Sequence, residues 1–213
     1  MFANSKIEDF LENVSSSEPT PGGGTVAALL AALSSSLVSM VYDITSNKSM
    51  FLNLDKSVKS EILLAQDRIG NITRLFLKLM EDDAVAFNKV MIAYKLPKSN
   101  EDEISFRNNK IQDSYKEALY IPLQTLRESY KLYDYIYLAC LYGNKNAITD
   151  VGVAALSLQS AIEGAALNVK INAKYIEDRE YVSLIIYECN ETIKNGRDKR
   201  DDILKKVQVE LEC

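Results

Sequence analysis

Hydrophobic residues recur along this chain with helical spacing almost throughout. Ile7, Phe10, Leu11 and Val14 form a short apolar stripe in steps of three and four, the mark of an amphipathic helix. A loop over residues 15–24 ends it. Residues 25–45 are apolar nearly all round, a pattern that belongs at the centre of a bundle or in a subunit interface. From 55 to 94 a stripe runs through Ile62, Ala65, Ile69, Ile72, Phe76, Leu79, Asp83, Ala86 and Val90. Its alternating steps of three and four predict the seam of a long antiparallel bundle helix. Asp83 stands in that seam where an apolar residue is expected, and burying a lone carboxylate is costly unless something pairs with it or uses it. The competing reading shifts the stripe by one and sends both Asp82 and Asp83 to solvent.

A loop with Pro97 follows, and Ser99 with Asp102 resembles a helix start. The next helix carries Ile104, Ile111, Tyr115 and Ala118 on one face, with Pro122 inside the pattern, where a kink is expected. It continues to about 141 with Tyr130, Tyr133, Tyr135 and Tyr137, which read as core and interface. After a turn at 143–146, a second small-residue helix runs to about 173 with Gly152, Ala154, Ala155, Ala161, Gly164, Ala165 and Ala166. Asn168 and Asn172, four apart, share a face and could bond to a ligand or across a helix contact. Asp178 can cap a last helix whose Val182, Ile185, Ile186, Cys189 and Ile193 form a face before a charged end from Arg197. No boundary, repeat or low-complexity stretch interrupts this. The expectation is an all-α fold, an elongated helical bundle of about six main helices forming a single domain over residues 1–213.

Composition narrows the chemistry. With 8 Gly and 4 Pro in 213 residues, few breakers separate long elements. The net charge of −5, without a long Lys/Arg run, argues against nucleic acid as a partner. The chain has no histidine, so acid/base work falls to carboxylate, Lys, Tyr or Cys. Cys140, Cys189 and Cys213 are too few and too scattered for a disulfide framework or a zinc site; no metal is expected, and a reducing, cytoplasmic setting is. The apolar stretch from Val26 is diluted by Ser34, Ser35, Ser36 and Ser39 and preceded by an acidic leader. It reads as a buried helix and not as a membrane span.

Two polar loops, each ahead of a small-residue helix, are the candidate site. Gly22, Gly23 and Gly24, approached through Pro19 and Pro21, would let backbone N–H groups and a helix N-terminus face a polar ligand. A Cβ there would intrude on the ligand or forbid a positive φ. The bland alternative is a turn. The run from Gly143 through Asn144, Lys145, Asn146, Ala147, Ile148 and Thr149 to Asp150 crowds more polar groups at a helix start than one cap uses, although capping plus solvation would also account for it.

The stretch Pro19-Thr20-Pro21-Gly22-Gly23-Gly24-Thr25 before an Ala-rich helix resembles the opening of the cyclodeaminase/methenyltetrahydrofolate cyclohydrolase family, the domain also found as the C-terminal half of formiminotransferase-cyclodeaminase. Asp83-Ala84-Val85-Ala86-Phe87, Leu96-Pro97-Lys98, Arg107, Pro122, the Gly143 to Asp150 run and Asn168-Val169-Lys170-Ile171-Asn172 resemble that family's pattern in the same order. Thr25 stands where the family often has Ser. The resemblance, over roughly residues 5 to 195, implies a homodimer that acts on one-carbon derivatives of tetrahydrofolate without metal or separate cofactor. It also implies one of two reactions. A cyclohydrolase opens 5,10-methenyltetrahydrofolate with water to 10-formyltetrahydrofolate; a cyclodeaminase closes 5-formiminotetrahydrofolate with loss of ammonia.

On this reading Asp83 and Asp150 are the catalytic candidates, because a carboxylate can attract the cationic methenyl carbon and deprotonate the attacking water. Gly22, Gly23, Gly24, Asn144, Asn146 and Thr149 are expected to hold the pterin, with Pro21 and Thr25 also at the substrate and Lys48, Lys98, Arg107 and Lys145 as cations for the glutamate tail. Cyclohydrolase comes first because no formiminotransferase domain accompanies these residues, and cyclodeaminase second. A non-enzymatic helical assembly protein is third; it leaves Asp83 and the two loops unexplained.

Overall fold

The computed structural model describes residues 2–212, so Cys213 lies outside the described residues. A 3₁₀ turn at Phe2–Asn4 precedes α1 (Ile7–Val14), α2 (Gly23–Ser46), the single turn α3 (Ser49–Leu52), α4 (Lys56–Tyr94) and α5 (Glu101–Tyr142). A second 3₁₀ turn at Lys145–Ala147 leads into α6 (Ile148–Ala173), and α7 (Arg179–Leu211) closes the chain. No strand occurs among the described residues. The all-α bundle expected from the periodicity is the one observed, with six main helices and the short α3. At 1.5 Å per residue, α4 and α5 are each about 60 Å long, which makes the bundle elongated.

Helices α2, α4, α5 and α6 form a four-membered ring in which each packs on the next and α6 returns to α2; α7 lies outside on α5 and α6. Small residues bring α2 and α6 close. A Cβ on Gly164 would stand 3.3 Å from that of Ala27, and Ser34 Oγ donates to the carbonyl of Ala154 at 2.9 Å. Residue 27 therefore opposes 164 while 34 opposes 154, so the two helices run antiparallel. By length and composition α2 could cross a bilayer, yet over half of the relevant window is buried, between α4 and α6. The α4 seam follows the predicted stripe: Ile62, Ala65, Ile69, Phe76, Leu79, Ala86 and Val90 are buried, Ile72 is half-buried, and Asp83, also half-buried, turns inward to Thr25. Asp82 turns outward to Lys78, so the shifted register is not the one adopted.

Local signals hold with small displacements. Asn100 caps α5, one residue after the expected Ser99: its Oδ1 accepts from the Glu103 N–H at 2.9 Å and the Glu103 carboxylate accepts from the Ser99 N–H at 2.8 Å. Asp178 caps α7 through the Tyr181 N–H at 3.0 Å. The charged end from Arg197 remains helical to Leu211 because Ile203 and Val207 extend the buried stripe. Paired hydrogen bonds from Arg127 to Glu188 (2.5 and 2.7 Å) and from Arg197 to Glu163 (2.9 and 2.7 Å) hold α7 to its neighbours, and Arg197 lowers the Glu163 carboxyl to about 2.

α5 runs through Pro122 as one helix. Proline has no N–H, so the carbonyl of Ala118 loses its intrahelical donor. Asn172 of α6 supplies a replacement, its Nδ2 donating to Ala118 O at 2.8 Å. The family-like Pro122 and Asn172 are thus two halves of one structural device.

Asn172→Ala should therefore destabilise the fold by about 1–3 kcal/mol, the scale of a buried polar group left unpaired. In a Pro122→Ala background, which restores the N–H, the same substitution should cost distinctly less. Urea denaturation of the four proteins in this cycle measures the difference, and equal losses in both backgrounds would refute the pairing.

Candidate active site

The first turn of α2 holds a cavity of about 320 Å³ against α4, α5 and the end of α6. Glycines 22–24 form one wall. No glycine among the described residues adopts a positive φ, so the conformational part of the glycine expectation fails. Close approach explains two of the three: a Cβ on Gly24 would lie 2.6 Å from Cγ of Asp83, and one on Gly23 would lie 3.2 Å from Nδ2 of Asn168, whereas one on Gly22 would meet only the Pro19 carbonyl at 3.4 Å.

Asp83 reaches this turn from the α4 seam. Gly22, the N-cap of α2, has no side chain to offer the helix's free N–H groups. The carboxylate of Asp83 takes that role from another helix, accepting from Thr25 Oγ1 at 2.9 Å and from the Thr25 backbone N–H. Burial raises its pKa, opposed by these two hydrogen bonds, and burial prevails. The group therefore holds a proton to higher pH than an ordinary aspartate while remaining in contact with a cavity.

Opposite stands an aromatic wall that periodicity did not single out. Tyr115 stacks on Tyr175 with ring centroids 4.6 Å apart and planes 13° from parallel, and Phe87 lines the same space. Gln112 fixes Tyr175 by donating to its carbonyl and accepting from the Glu177 N–H, each at 2.9 Å. Tyr115 was legible only as one more core-facing position, and Tyr175, in the turn after α6, had no local signal. Asn168 lines the cavity too, its Nδ2 donating back to the Gly164 carbonyl at 2.9 Å.

The other predicted residues stand elsewhere. Pro21 is buried behind the loop. Arg107 lies one ring away from the wall, donating to the Tyr94 carbonyl at 3.3 Å and covering the Tyr94 ring, whose edge meets Tyr115. Asn144 is buried and spends its groups locally: its N–H donates to Thr45 Oγ1 at 2.9 Å and its Oδ1 accepts from the Asn146 N–H at 3.0 Å. Lys145 pairs with Glu210 at 2.7 Å. Lys48, Asn146 and Thr149 are exposed and Asp150 is half-buried. This second group sits beside Thr45, about 30 Å along α2 from the glycine loop. A single chain does not bring the two loops together. Each loop precedes a helix, and those helices are antiparallel, so the loops occupy opposite ends of the bundle.

A larger hollow, about 470 Å³, lies between α5 and α7, but its Asp134, Asp198 and Asp202 are exposed acids of the surface. Among the described residues no three Cys, Asp or Glu side chains converge as a metal site, and Cys140 and Cys189 are buried free thiols.

A helical bundle with a protonatable carboxyl between a bare-backbone loop and an aromatic wall defines a class of cavity suited to a planar polar ligand and to proton transfer. Comparison with known proteins then places the chain: residues 6–191 match the formiminotransferase-cyclodeaminase family, to which it belongs. It is 38% identical over 181 residues to the methenyltetrahydrofolate cyclohydrolase of Methylorubrum extorquens, covering 85% of each chain. It is 31% identical over 175 residues to the formimidoyltransferase-cyclodeaminase of Rattus norvegicus, spanning 82% of this chain but 32% of that longer one. The fold matches that of the formiminotetrahydrofolate cyclodeaminase of Thermotoga maritima with a TM-score of 0.81 and 26% identity, over 97% of this chain and 99% of that one.

Asp83→Asn should stabilise the protein in a pH-dependent way. The folded chain holds the Asp83 proton to higher pH than the unfolded chain, so this group's contribution to stability falls as pH rises from the ordinary aspartate range, near 3.9, through its raised folded value. Asn removes that loss while keeping an acceptor for Thr25. The melting temperature of the variant should exceed that of the wild type by a margin that widens through this window and is constant above it. A variant less stable than wild type at neutral pH would contradict the assignment.

Proposed function

We propose that the protein hydrolyses 5,10-methenyltetrahydrofolate to 10-formyltetrahydrofolate in one-carbon metabolism, as a homodimer and without a separate cofactor. The observation that carries this is Asp83: a carboxyl of raised proton affinity facing a cavity, in a chain that matches a methenyltetrahydrofolate cyclohydrolase along most of both lengths. The methenyl carbon belongs to a cationic amidinium, which an ionised carboxylate attracts. Asp83 takes a proton from water as its oxygen bonds to that carbon, giving a neutral tetrahedral carbinol between N5 and N10. The carboxyl then returns the proton to N5 as the C–N5 bond breaks, and the hydroxyl proton leaves to solvent as the formyl carbonyl forms on N10. Water and proton transfer are all the chemistry this requires. Tyr115 and Tyr175 supply a flat apolar wall for a ring, and the first turn of α2 supplies backbone donors.

The cyclodeaminase reading is supported by the structural likeness to the Thermotoga protein. Both reactions pass through a tetrahedral carbon bridging N5 and N10, and the two products separate them. Purified protein incubated with each folate should bleach methenyl absorbance far faster than it releases ammonia from 5-formiminotetrahydrofolate; the reverse ratio would make it a cyclodeaminase.

In the methenyl assay Asp83→Asn should lower kcat by about a hundredfold or more, the scale of a positioned acid/base. Tyr175→Leu should mainly raise KM. Wild-type kinetics in Asp83→Asn would remove the carboxyl from the reaction.

A further inference from the structure

The amide of Asn168 is anchored by its nitrogen. Nδ2 donates to the Gly164 carbonyl one turn back at 2.9 Å, and no hydrogen bond from the described residues reaches Oδ1. A half-buried amide that lines the cavity therefore keeps an acceptor to offer. Asn168 and Asp83 meet α2 at adjacent residues. Asn168 packs on Gly23 and Asp83 on Gly24, whose Cα atoms are about 3.8 Å apart across one peptide bond. Asn172 also gives its Nδ2 to a backbone carbonyl, but that carbonyl is Ala118 of α5, and Asn172 stands about 6 Å farther along α6.

Among the described residues that line this cavity none is Lys or Arg, and Asp83 is the charged one. The lining offers no positive side chain to hold a hydroxide ion, so the nucleophile enters as neutral water. Such a water gives one hydrogen to Asp83 and has a second to place. Left without an acceptor in a confined site, that hydrogen carries the cost of an unmade hydrogen bond.

We infer that Asn168 is a second catalytic residue, its Oδ1 accepting the hydrogen of the attacking water that Asp83 does not take. Two acceptors at one turn of α2 hold both hydrogens on that side, so a lone pair of the oxygen faces the wall of Tyr115 and Tyr175 opposite. The inference deepens the proposed function and rests on it. As the oxygen bonds to the methenyl carbon, one hydrogen passes to Asp83 as a proton. The other stays on the new carbinol hydroxyl, still bonded to Asn168. The amide takes no proton itself. When the carboxyl returns its proton to N5 and the C–N5 bond breaks, the hydroxyl proton leaves to solvent as the formyl carbonyl forms.

Steady-state kinetics of Asn168→Ala in the methenyl assay, with tetrahydrofolate binding followed by equilibrium dialysis, tests it. The variant should lose about tenfold in kcat, the scale of one hydrogen bond missing at the transition state. Its KM, and its Kd for tetrahydrofolate, which has the rings without the one-carbon bridge, should stay within about twofold of wild type. Asn168→Asp restores an acceptor and adds a negative charge beside Asp83. Its kcat should exceed that of the alanine variant at high pH, and the pH at which kcat reaches half its plateau should lie above the wild-type value, because a neighbouring carboxylate makes Asp83 hold its proton longer. A loss confined to KM and Kd would make Asn168 a ring-binding residue and overturn the inference. So would wild-type kinetics in Asn168→Ala, or an aspartate variant no better than alanine at any pH. The unsubstituted protein reads the proposed function separately: if it bleaches no methenyl absorbance, that function falls and the inference with it.

Discussion

One carboxylate caps a helix it does not belong to, and the cavity is built beside that contact. Asp83 occupies an apolar seam position of α4, where an aspartate is tolerated only with partners. Its partners are the Thr25 hydroxyl and N–H in the first turn of α2, which has no side-chain cap of its own. The contact requires the backbone of α2 to come within side-chain distance of α4, which is why Gly24 must be bare. Thr25, the glycines and Asp83 are therefore a single arrangement, and any change to one alters the proton affinity of the carboxyl.

The small-residue faces serve the same end. Close packing of Gly164 on Ala27 draws α6 against α2 and brings Asn168 to the cavity rim, while Asn172, on the helix that follows that of Pro122, ties α6 to α5 at the orphaned Ala118 carbonyl. The helical walls of the cavity are thus held by close backbone packing and by the hydrogen bond that the proline frees, while the glycine loop and the turn carrying Tyr175 close it.

Much of the bundle was legible in the chain because its helices are long and their stripes regular: the α4 seam, including the discordant Asp83, could be read residue by residue. The cap of α5 was displaced by one residue since Asn100 outcompetes Ser99 as an acceptor for the Glu103 N–H. The site was half legible. Glycines 22–24 and Asp83 announced themselves by breaking a pattern, whereas Tyr115 obeyed its pattern and Tyr175 had none; only the packing of α5 against the turn after α6 makes them a wall. The joining of Asp83 with Asp150 in one chain failed for a topological reason. Sequence order shows that both loops precede small-residue helices but not that these helices run antiparallel.

The stacked tyrosines have an optical consequence. The chain has 12 tyrosines and no tryptophan, so tyrosine emission is not drained by transfer to an indole. Tyr115 is held face to face with Tyr175 and edge to Tyr94, a close group in which excitation can pass from ring to ring. A conjugated molecule against Tyr175 would drain the whole group, so the protein carries at its cavity a built-in fluorescent reporter of whether anything is bound.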